Sequence, residues 1–290
     1  MATAGIRRTA KESSRSRPAA ARAGPKAGAR VGGAAPKPAV NGSQSIHRAF
    51  SLLRLVASAR SAGIRLAEVA TATGLHVATA HRLLGAMQRE RFVTFDPYSR
   101  LYHIGHEFLA LGEGSRESRI RDHYRPVLAF IADATEDSVY LSTLSGNDAV
   151  CIDRAEGRFP IRTITLDIGA RRPLGVGGGS LALLAALPNQ RIETALAANE
   201  SRYAQYNGMT AGEVRTLVRT CQRRGFAFND GRVIEGVSAV GLPVLAEDGG
   251  PVAAISVAAI KQRMGPARRR QIAEMIRRQI DATGWPRGAT

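Results

Sequence analysis

Hydrophobic positions recur at helical spacing three times in the first third of the chain. The first stretch begins at Ser45, a residue type that commonly caps helix N-termini. Its apolar side chains fall on one stripe: Ile46, Phe50, Leu53, Val56 and Ala57. Gly63 interrupts the first pattern and Gly74 interrupts the second. The sequence therefore predicts three short helices.

The second and third predicted helices are separated by only a Gly-Leu-His turn. The second helix has three apolar residues on one face: Leu66, Val69 and Ala70. The third has four at i, i+3, i+4 and i+7: Ala80, Leu83, Leu84 and Met87. This spacing is typical of a helix-turn-helix, in which the second helix of the pair lies in the major groove of DNA.

Two β-type runs follow, at residues 92–95 and Leu101–Ile104, on either side of a turn over residues 96–100. A hairpin directly after a recognition helix is typical of a winged domain. A three-helix domain with an unrelated hairpin would show the same pattern, so the sequence leaves that alternative open.

The winged hypothesis places DNA contacts on the first turn of the third helix and at the wing tip. The candidate residues are Val77, Ala78, Thr79, His81, Arg82 and Arg100. Thr79 suits a base edge or a thymine methyl group, and Arg82 suits guanine or phosphate. Arg100 suits a phosphate or the minor groove. Simple solvent exposure is the alternative for each polar side chain.

From residue 119 onwards, β-type runs alternate with helical patterns. A helix is predicted over residues 121–135, with Pro126 in its early turns. The predicted strands are Ser138–Ser145, 149–155, 161–166, Val237–Leu245 and 252–260. Further helices are predicted after the glycine run, at residues 190–198, after the capping box formed by Thr210 and Glu213, and from Pro266. An α+β domain with a mostly antiparallel sheet and flanking helices follows from this order.

Three consecutive glycines, Gly177, Gly178 and Gly179, precede one of these helices. Backbone N–H groups at a helix N-terminus lie at the positive end of the helix dipole and favour an anion. The run is therefore a candidate anion site. The alternative is that the glycines only permit a tight turn and close packing.

The formal charge of +17 over 290 residues is unevenly distributed. Residues 1–43 have nine basic residues and one acid, a net +8, whereas residues 44–118 have nine and six, a net +3. The first segment has almost nothing apolar to bury, so we expect a disordered basic tail. It is either a solubilising extension or a nonspecific DNA-binding arm. The charge favours a polyanionic partner, nucleic acid or an anionic membrane surface.

Other features exclude several classes of protein. Two cysteines, Cys151 and Cys221, suit a reducing compartment, and no apolar run reaches the roughly 18 residues of a bilayer span. The basic N-terminus has no apolar stretch after it, so a secretory signal is not expected. We expect a cytoplasmic protein.

We found no convincing catalytic motif. GVGGGS lacks the last glycine of a dinucleotide fingerprint and the lysine of a P-loop, and His106 has no second histidine at metalloprotease spacing. No catalysis, cofactor or metal site is expected. A small-molecule enzyme with an appended helical domain, or a membrane-surface adaptor using the basic tail, remain as alternatives.

Two groups of motifs resemble one known family. LAEVATATGLHVATAHRLL and RLYHIG resemble the winged helix-turn-helix of the IclR family of bacterial transcriptional regulators, and EFLALG, from Glu107, resembles its linking helix. PLGVGGGSLALLA and GVSAVGLPVLAEDGGPVAAISV resemble its effector-binding domain, a fold similar to GAF domains. One departure is Ala78-Thr79, where the family often has Ser-Thr.

The resemblance implies a domain order and partners. The disordered basic tail (1–43) falls outside it, and the rest of the chain is implied to form a DNA-binding domain (44–105), a linker helix (106–118) and an effector-binding domain (119–290). The partners implied are double-stranded operator DNA, a small organic acid or aromatic effector, and a second copy, as a homodimer or dimer of dimers. A regulator of a catabolic operon, as a repressor or an activator, is the role expected from it.

The resemblance also implies an effector pocket. Its residues here are Leu174, Val176, Gly178, Gly179, Asn229 and Ala239. Some relatives have an acid and a cysteine at the last two positions, so a different ligand preference is expected. Arg172 and Asp230 are candidates for a ligand contact as well, but we expect both to be surface residues.

Overall fold

The computed structural model describes residues 43–284, so the tail predicted over residues 1–43 lies outside the described residues apart from Ser43. Contacts divide the chain into two units, one that ends at Ser51 and one that begins at Leu52. The helices and strands, in chain order, are α1 Gln44–Ser58, α2 Leu66–Thr73, α3 Val77–Arg89, β1 Val93–Asp96, β2 Leu101–Ile104, α4 Glu107–Glu113, α5 Arg116–Thr135, β3 Ser138–Ser145, β4 Asp148–Ala155, β5 Arg171–Pro173, α6 Gly178–Ala185, α7 Asn189–Tyr203, α8 Ala211–Arg224, β6 Ala227–Asp230, β7 Val237–Leu245, β8 Pro251–Ile260 and α9 Pro266–Thr283.

The first unit contains the beginning of α1, where one prediction is wrong. His47 N donates to Ser43 O at 2.9 Å, so the helix already includes Ser45, which is not its N-cap. Ile46 and Phe50, at the start of the predicted apolar stripe, are 58% and 53% exposed. Apolar spacing alone does not show whether another element covers that stripe.

The first half of the second unit has the predicted helices and hairpin. Gly74 adopts φ 66° at the end of α2, and its N–H bonds to carbonyls of the last helical turn. β1 and β2 pair in antiparallel register, with Val93 opposite Ile104. The core of this half is formed by Leu52, Val56, Val69, Ala70, Ala80, Leu84, Val93 and Tyr102. Helix-turn-helix and wing therefore share one apolar core.

The single linker helix predicted over residues 106–118 is interrupted. α4 ends at Glu113, and α5 begins at Arg116, where Ser115 Oγ accepts a hydrogen bond from Ser118 N at 3.0 Å. A serine N-cap starts a new helix here because it satisfies an N–H that the first turn leaves free. Since α5 starts earlier than predicted, Pro126 lies in its interior and not in its early turns.

The second half is built on one six-stranded antiparallel sheet. The strand order is β5-β4-β3-β8-β7-β6. The hairpin between β7 and β8 has the turn predicted at Asp248-Gly249-Gly250, and the capping box of Thr210 and Glu213 begins α8 as predicted. The α+β fold class is confirmed.

Strand alternation gives the sheet two different faces. One face packs against α5 and α9 through large apolar side chains such as Leu141, Ile255 and Val257. The other face packs against α6, α7 and α8 and has smaller residues on its central strands, among them Ala254 and Ala258. Because these side chains are small, α6 approaches the sheet backbone closely.

The strand predicted at residues 161–166 is absent from the sheet, and two short strands, β5 and β6, were missed. Both sides of β4 are already paired, with β3 and β5. Side chains hold the irregular segment instead: Tyr140 Oη donates to Thr163 O at 2.6 Å, and Thr163 Oγ1 donates to Ala258 O at 2.6 Å. Local alternation of apolar residues therefore does not produce a strand here.

Candidate functional site

The outer face of α3 is the candidate DNA-contacting surface. The helix begins at Val77, with His76 as N-cap, and buries Ala80 and Leu84. Its other side exposes the predicted residues Val77, Ala78, His81 and Arg82, whereas Thr79 is half-buried. The α3 sequence contains no acidic residue. This face therefore suits the polyanionic edge of a DNA groove.

Arg89 extends the same face and was missed in the sequence analysis. It lies seven residues after Arg82, two helical turns along, and is exposed. Helical spacing alone would have identified it.

The hairpin between β1 and β2 forms the second part of this surface. Asp96 accepts hydrogen bonds from Tyr98 N at 2.9 Å and from Ser99 Oγ at 2.5 Å, which fixes the turn. The bond from Ser99 is the main cause of the lowered pKa of the Asp96 carboxyl. Arg100 is exposed with φ 56°, and Tyr98, a residue the sequence analysis passed over, is 98% exposed at the tip.

A cavity of about 550 Å³, including its open mouth, lies on the small-residue face of the sheet. Five of the six predicted effector residues line it: Val176, Gly178, Gly179, Asn229 and Ala239. The sixth, Leu174, is fully buried in the apolar cluster beneath α6 and does not line the cavity.

Strand register explains the floor of the cavity. Tyr140 on β3 lies opposite Ser256 on β8, and Ala239 on β7 lies opposite both Asn229 on β6 and Ala258 on β8. All five side chains line the cavity. Because residues two apart share a face, the large residues between them are in the opposite core.

The N-terminal turn of α6 closes one side of the cavity. Gly177, at the N-cap, has φ 97°, a backbone conformation that favours glycine. The first helical hydrogen bond runs from Leu181 N to Gly177 O at 3.0 Å, so the N–H groups of Gly178 and Gly179 have no acceptor within the helix. The geometry fits the candidate anion site.

Close packing of these glycines is also present. A Cβ on Gly178 would lie 3.0 Å from Ala239 Cβ, and one on Gly179 would lie 3.1 Å from Ser256 Oγ. Close packing against the sheet is thus one role of the run. The same three glycines line the cavity, where the anion site stays a prediction.

The two charged residues near the predicted pocket, Asp230 and Arg172, differ in their exposure. Asp230 is exposed, accepts a hydrogen bond from Ser238 Oγ at 3.0 Å and pairs with Lys261 at 3.3 Å, so the surface prediction fits it. Arg172 was also predicted at the surface, and that prediction is wrong. It is partly buried and lines the cavity.

Within residues 43–284, no helix is long and apolar enough to cross a bilayer. No group of three or more metal-ligating side chains is found in this part of the chain.

A winged helix-turn-helix followed by a sheet domain with a polar cavity defines a two-domain, DNA-binding regulator. Family models agree with both halves: the IclR helix-turn-helix domain matches residues 45–97, and the bacterial transcriptional regulator IclR C-terminal domain matches residues 115–283. The chain belongs to the IclR family of bacterial transcriptional regulators. It is a ligand-responsive, DNA-binding transcriptional regulator. Membership in this family confirms the prediction that the protein is a regulator and not an enzyme.

Individual relatives are similar over most of their length. The chain is 24% identical to the HTH-type transcriptional regulator KipR of Bacillus subtilis, over 82% of this chain and 94% of that protein. It is 26% identical to the transcriptional repressor IclR of Escherichia coli, over 82% and 88%. A crystal structure of an IclR homologue from Microbacterium hydrocarbonoxydans, complexed with 4-hydroxybenzoate, has a TM-score of 0.66 at 18% identity, over 81% of this chain and 99% of that one. At that identity the structure supports the fold alone.

Proposed function

We propose that the chain represses or activates a catabolic operon by binding operator DNA through α3 and the β1–β2 hairpin. The observation that supports it is the arrangement of α3, which buries Ala80 and Leu84 and exposes a face with Arg82 and Arg89 and no acid. The DNA contacts are assigned to Val77, Ala78, Thr79, His81, Arg82 and Arg100. Arginine on such a face pairs with guanine edges or phosphates.

The functional form is a homodimer or a dimer of dimers in the cytoplasm. A single recognition helix buries too little surface for operator affinity, and two copies place two such helices in successive major grooves. Catabolic regulators occur among the relatives, including the glycerol operon regulatory protein of Streptomyces coelicolor.

The effector is a small organic acid or an aromatic metabolite held in the cavity beneath α6. Val176, Gly178, Gly179, Asn229 and Ala239 are the contacts assigned. The cavity is lined by apolar side chains together with a few polar ones, as small-molecule sites usually are. The 4-hydroxybenzoate bound by the Microbacterium homologue has both of these chemical features.

Effector binding acts by shifting populations of the paired DNA-binding domains. The connection between the two halves runs through α4 and the first turn of α5, which are separate helices. A ligand that binds one arrangement more tightly than the other shifts the equilibrium between them by the difference between its two binding free energies.

Operator binding is the direct test. Fluorescence anisotropy with DNA flanking the gene would be measured for the wild type, for Arg82→Ala and for Arg270→Ala, an exposed arginine on α9 that removes the same charge. Arg82→Ala is expected to weaken specific binding about 10- to 100-fold, because a good arginine–base pair contributes about 1–3 kcal/mol. Arg270→Ala is expected to bind like the wild type. Equal operator affinities for all three proteins would contradict the assignment of α3.

A further inference from the structure

Arg172 has the only formal charge among the residues that line the cavity. The remaining lining residues are apolar, glycine, hydroxyl-bearing or amide side chains, and no acid is among them. The cavity is therefore electropositive without any neutralising group in its wall.

Strand pairing explains why this arginine faces the cavity and its neighbour does not. On β5, Arg172 lies opposite Ala149 of β4, which lines the cavity, whereas Arg171 lies opposite Val150. Successive residues of a strand point to opposite faces. Arg171 bonds to Asp148 Oδ2 at 3.2 Å and to Ser145 Oγ at 2.9 Å. One arginine is thus paired on the outer face and the other faces inward.

The Arg172 guanidinium has no carboxylate partner within residues 43–284. Its one hydrogen bond in this part of the chain runs from Nη2 to the carbonyl oxygen of Thr165, although a guanidinium has five N–H donors. Burial lowers the pKa of Arg172 from its usual value, because the charged form loses hydration. A buried charge without a counter-ion is costly for the fold, and such groups are frequent at ligand sites.

The guanidinium lies beside the N-terminal turn of α6. A Cβ on Gly177 would be 3.3 Å from Arg172 Nη1. The positive charge of Arg172 and the positive end of the α6 dipole therefore lie at the same end of the cavity. Two independent sources of positive potential at one point favour an anionic group.

Asn229 supplies a second, independent polar group. Its side chain is 2% exposed and lines the cavity, and its Nδ2 has no hydrogen-bond partner among the described residues. A buried amide without a partner costs free energy, which an acceptor atom on a ligand removes.

We propose that Arg172 is the specificity-determining residue of the effector site and selects ligands with a carboxylate, which it binds together with the N-terminal turn of α6. Asn229 Nδ2 donates to a second acceptor on the same ligand. This inference rests on the proposed function, because it assigns the chemistry of that effector site.

Matched acids and amides test the proposal in the wild type. Pyruvate, hexanoate and 4-hydroxybenzoate, each with its primary amide, would be titrated into the full-length chain by calorimetry. At least one acid is expected to bind, and its amide about 10-fold more weakly, because a hydrogen bond to a charged group exceeds a neutral one by about 1.4 kcal/mol. An amide that binds as tightly as its acid, or a lack of binding by all three acids, would overturn the proposal.

Variants separate charge recognition from a structural role. Arg172→Met is expected to bind the acid no more tightly than the amide. Arg172→Lys is expected to keep part of the wild-type preference for the acid over the amide. Arg171→Met, the matched control on the same strand, should keep the wild-type ratio. If Arg172→Met weakens acid and amide equally, the residue only supports the site and the proposal is wrong.

Operator binding without any added ligand distinguishes this inference from the proposed function. The wild type could bind the operator and change its operator affinity only with uncharged ligands. That result would contradict the role of Arg172 and leave the proposed regulatory function standing. Equal operator affinities of the wild type and Arg82→Ala would instead contradict the proposed function itself.

Discussion

The hydroxyl group of Tyr140 donates a 2.6 Å hydrogen bond to the carbonyl oxygen of Thr163. The same hydroxyl accepts a bond from Thr165 N at 3.0 Å. One side chain on β3 thus holds both ends of a short segment that belongs to no strand and that contributes Thr165 to the cavity wall.

Tyr140→Phe is expected to release this segment while the sheet stays folded. The free energy of unfolding should fall by about 1–3 kcal/mol, because a buried carbonyl and N–H lose their partner. Chemical denaturation would measure the loss, and hydrogen exchange should accelerate at residues 163–166. Tyr98→Phe is the control, since Tyr98 is 98% exposed and should show no change. Equal stability of the two variants would contradict the role given to Tyr140.

Gly241→Ala is expected to push α6 away from the sheet. A Cβ at Gly241 would lie 2.5 Å from Gly178 O, a backbone atom that cannot rotate away. We expect a loss of about 1–3 kcal/mol, as for other overpacked cores, together with weaker effector binding. Gly212→Ala in α8 is the matched control. Its nearest atom would be 3.9 Å away, so it should gain up to about 1 kcal/mol from helix propensity. A neutral Gly241→Ala would show that α6 does not need this contact.

Asp137→Asn is expected to remove a buried ionic cluster. The Asp137 side chain is 2% exposed and pairs with Arg263 at 3.0 Å and Arg268 at 2.9 Å. Breaking such a pair leaves buried positive charge, so thermal and urea unfolding should show a loss of about 3 kcal/mol. Asp133→Asn breaks the exposed pair with Arg158 and should cost less than about 1 kcal/mol. Similar losses in both variants would contradict this account.

The lowered pKa of Glu213 predicts that the stability of the folded state depends on pH. Its pKa is lowered from 4.5, first by the hydrogen bond from the Thr210 backbone N–H and then by Arg232. The folded state therefore binds the proton more weakly, and the stabilisation is complete above pH 4.5 and lost as the pH falls below it. Glu213→Gln keeps the cap but cannot ionise. Its melting temperature should therefore lie below that of the wild type at pH 7, and the difference should become smaller at acid pH.

Glu235→Gln, which replaces an exposed acid in the loop before β7, is the control for that measurement and should show no deficit at either pH. A deficit of Glu213→Gln that is constant with pH would contradict the assignment.

The sequence predicted those features that depend on near neighbours. The three helices, the wing and the glycine turn of α6 were found because periodicity and turn residues act within a few positions. Leu174 was misplaced because its position follows from packing beneath α6.

The charge of the cavity could not be predicted from local pattern. Arg172 faces inward because β5, a strand of three residues, pairs with β4 in one particular register. A register shift of one residue would have turned Arg171 inward in its place. Likewise, the partnerless amide of Asn229 is known only once β6 and β7 are paired.

The alternation along β7 and β8 separates two kinds of evolutionary change. Val240 and Val257 lie in the core beneath α5 and α9, whereas the adjacent Ala239 and Ser256 contact the cavity. A substitution on the second set alters the shape and polarity offered to a ligand and leaves the opposite core unchanged. Descendants of one gene can therefore alter the cavity through exchanges at alternate positions of these strands while the core beneath α5 and α9 stays the same.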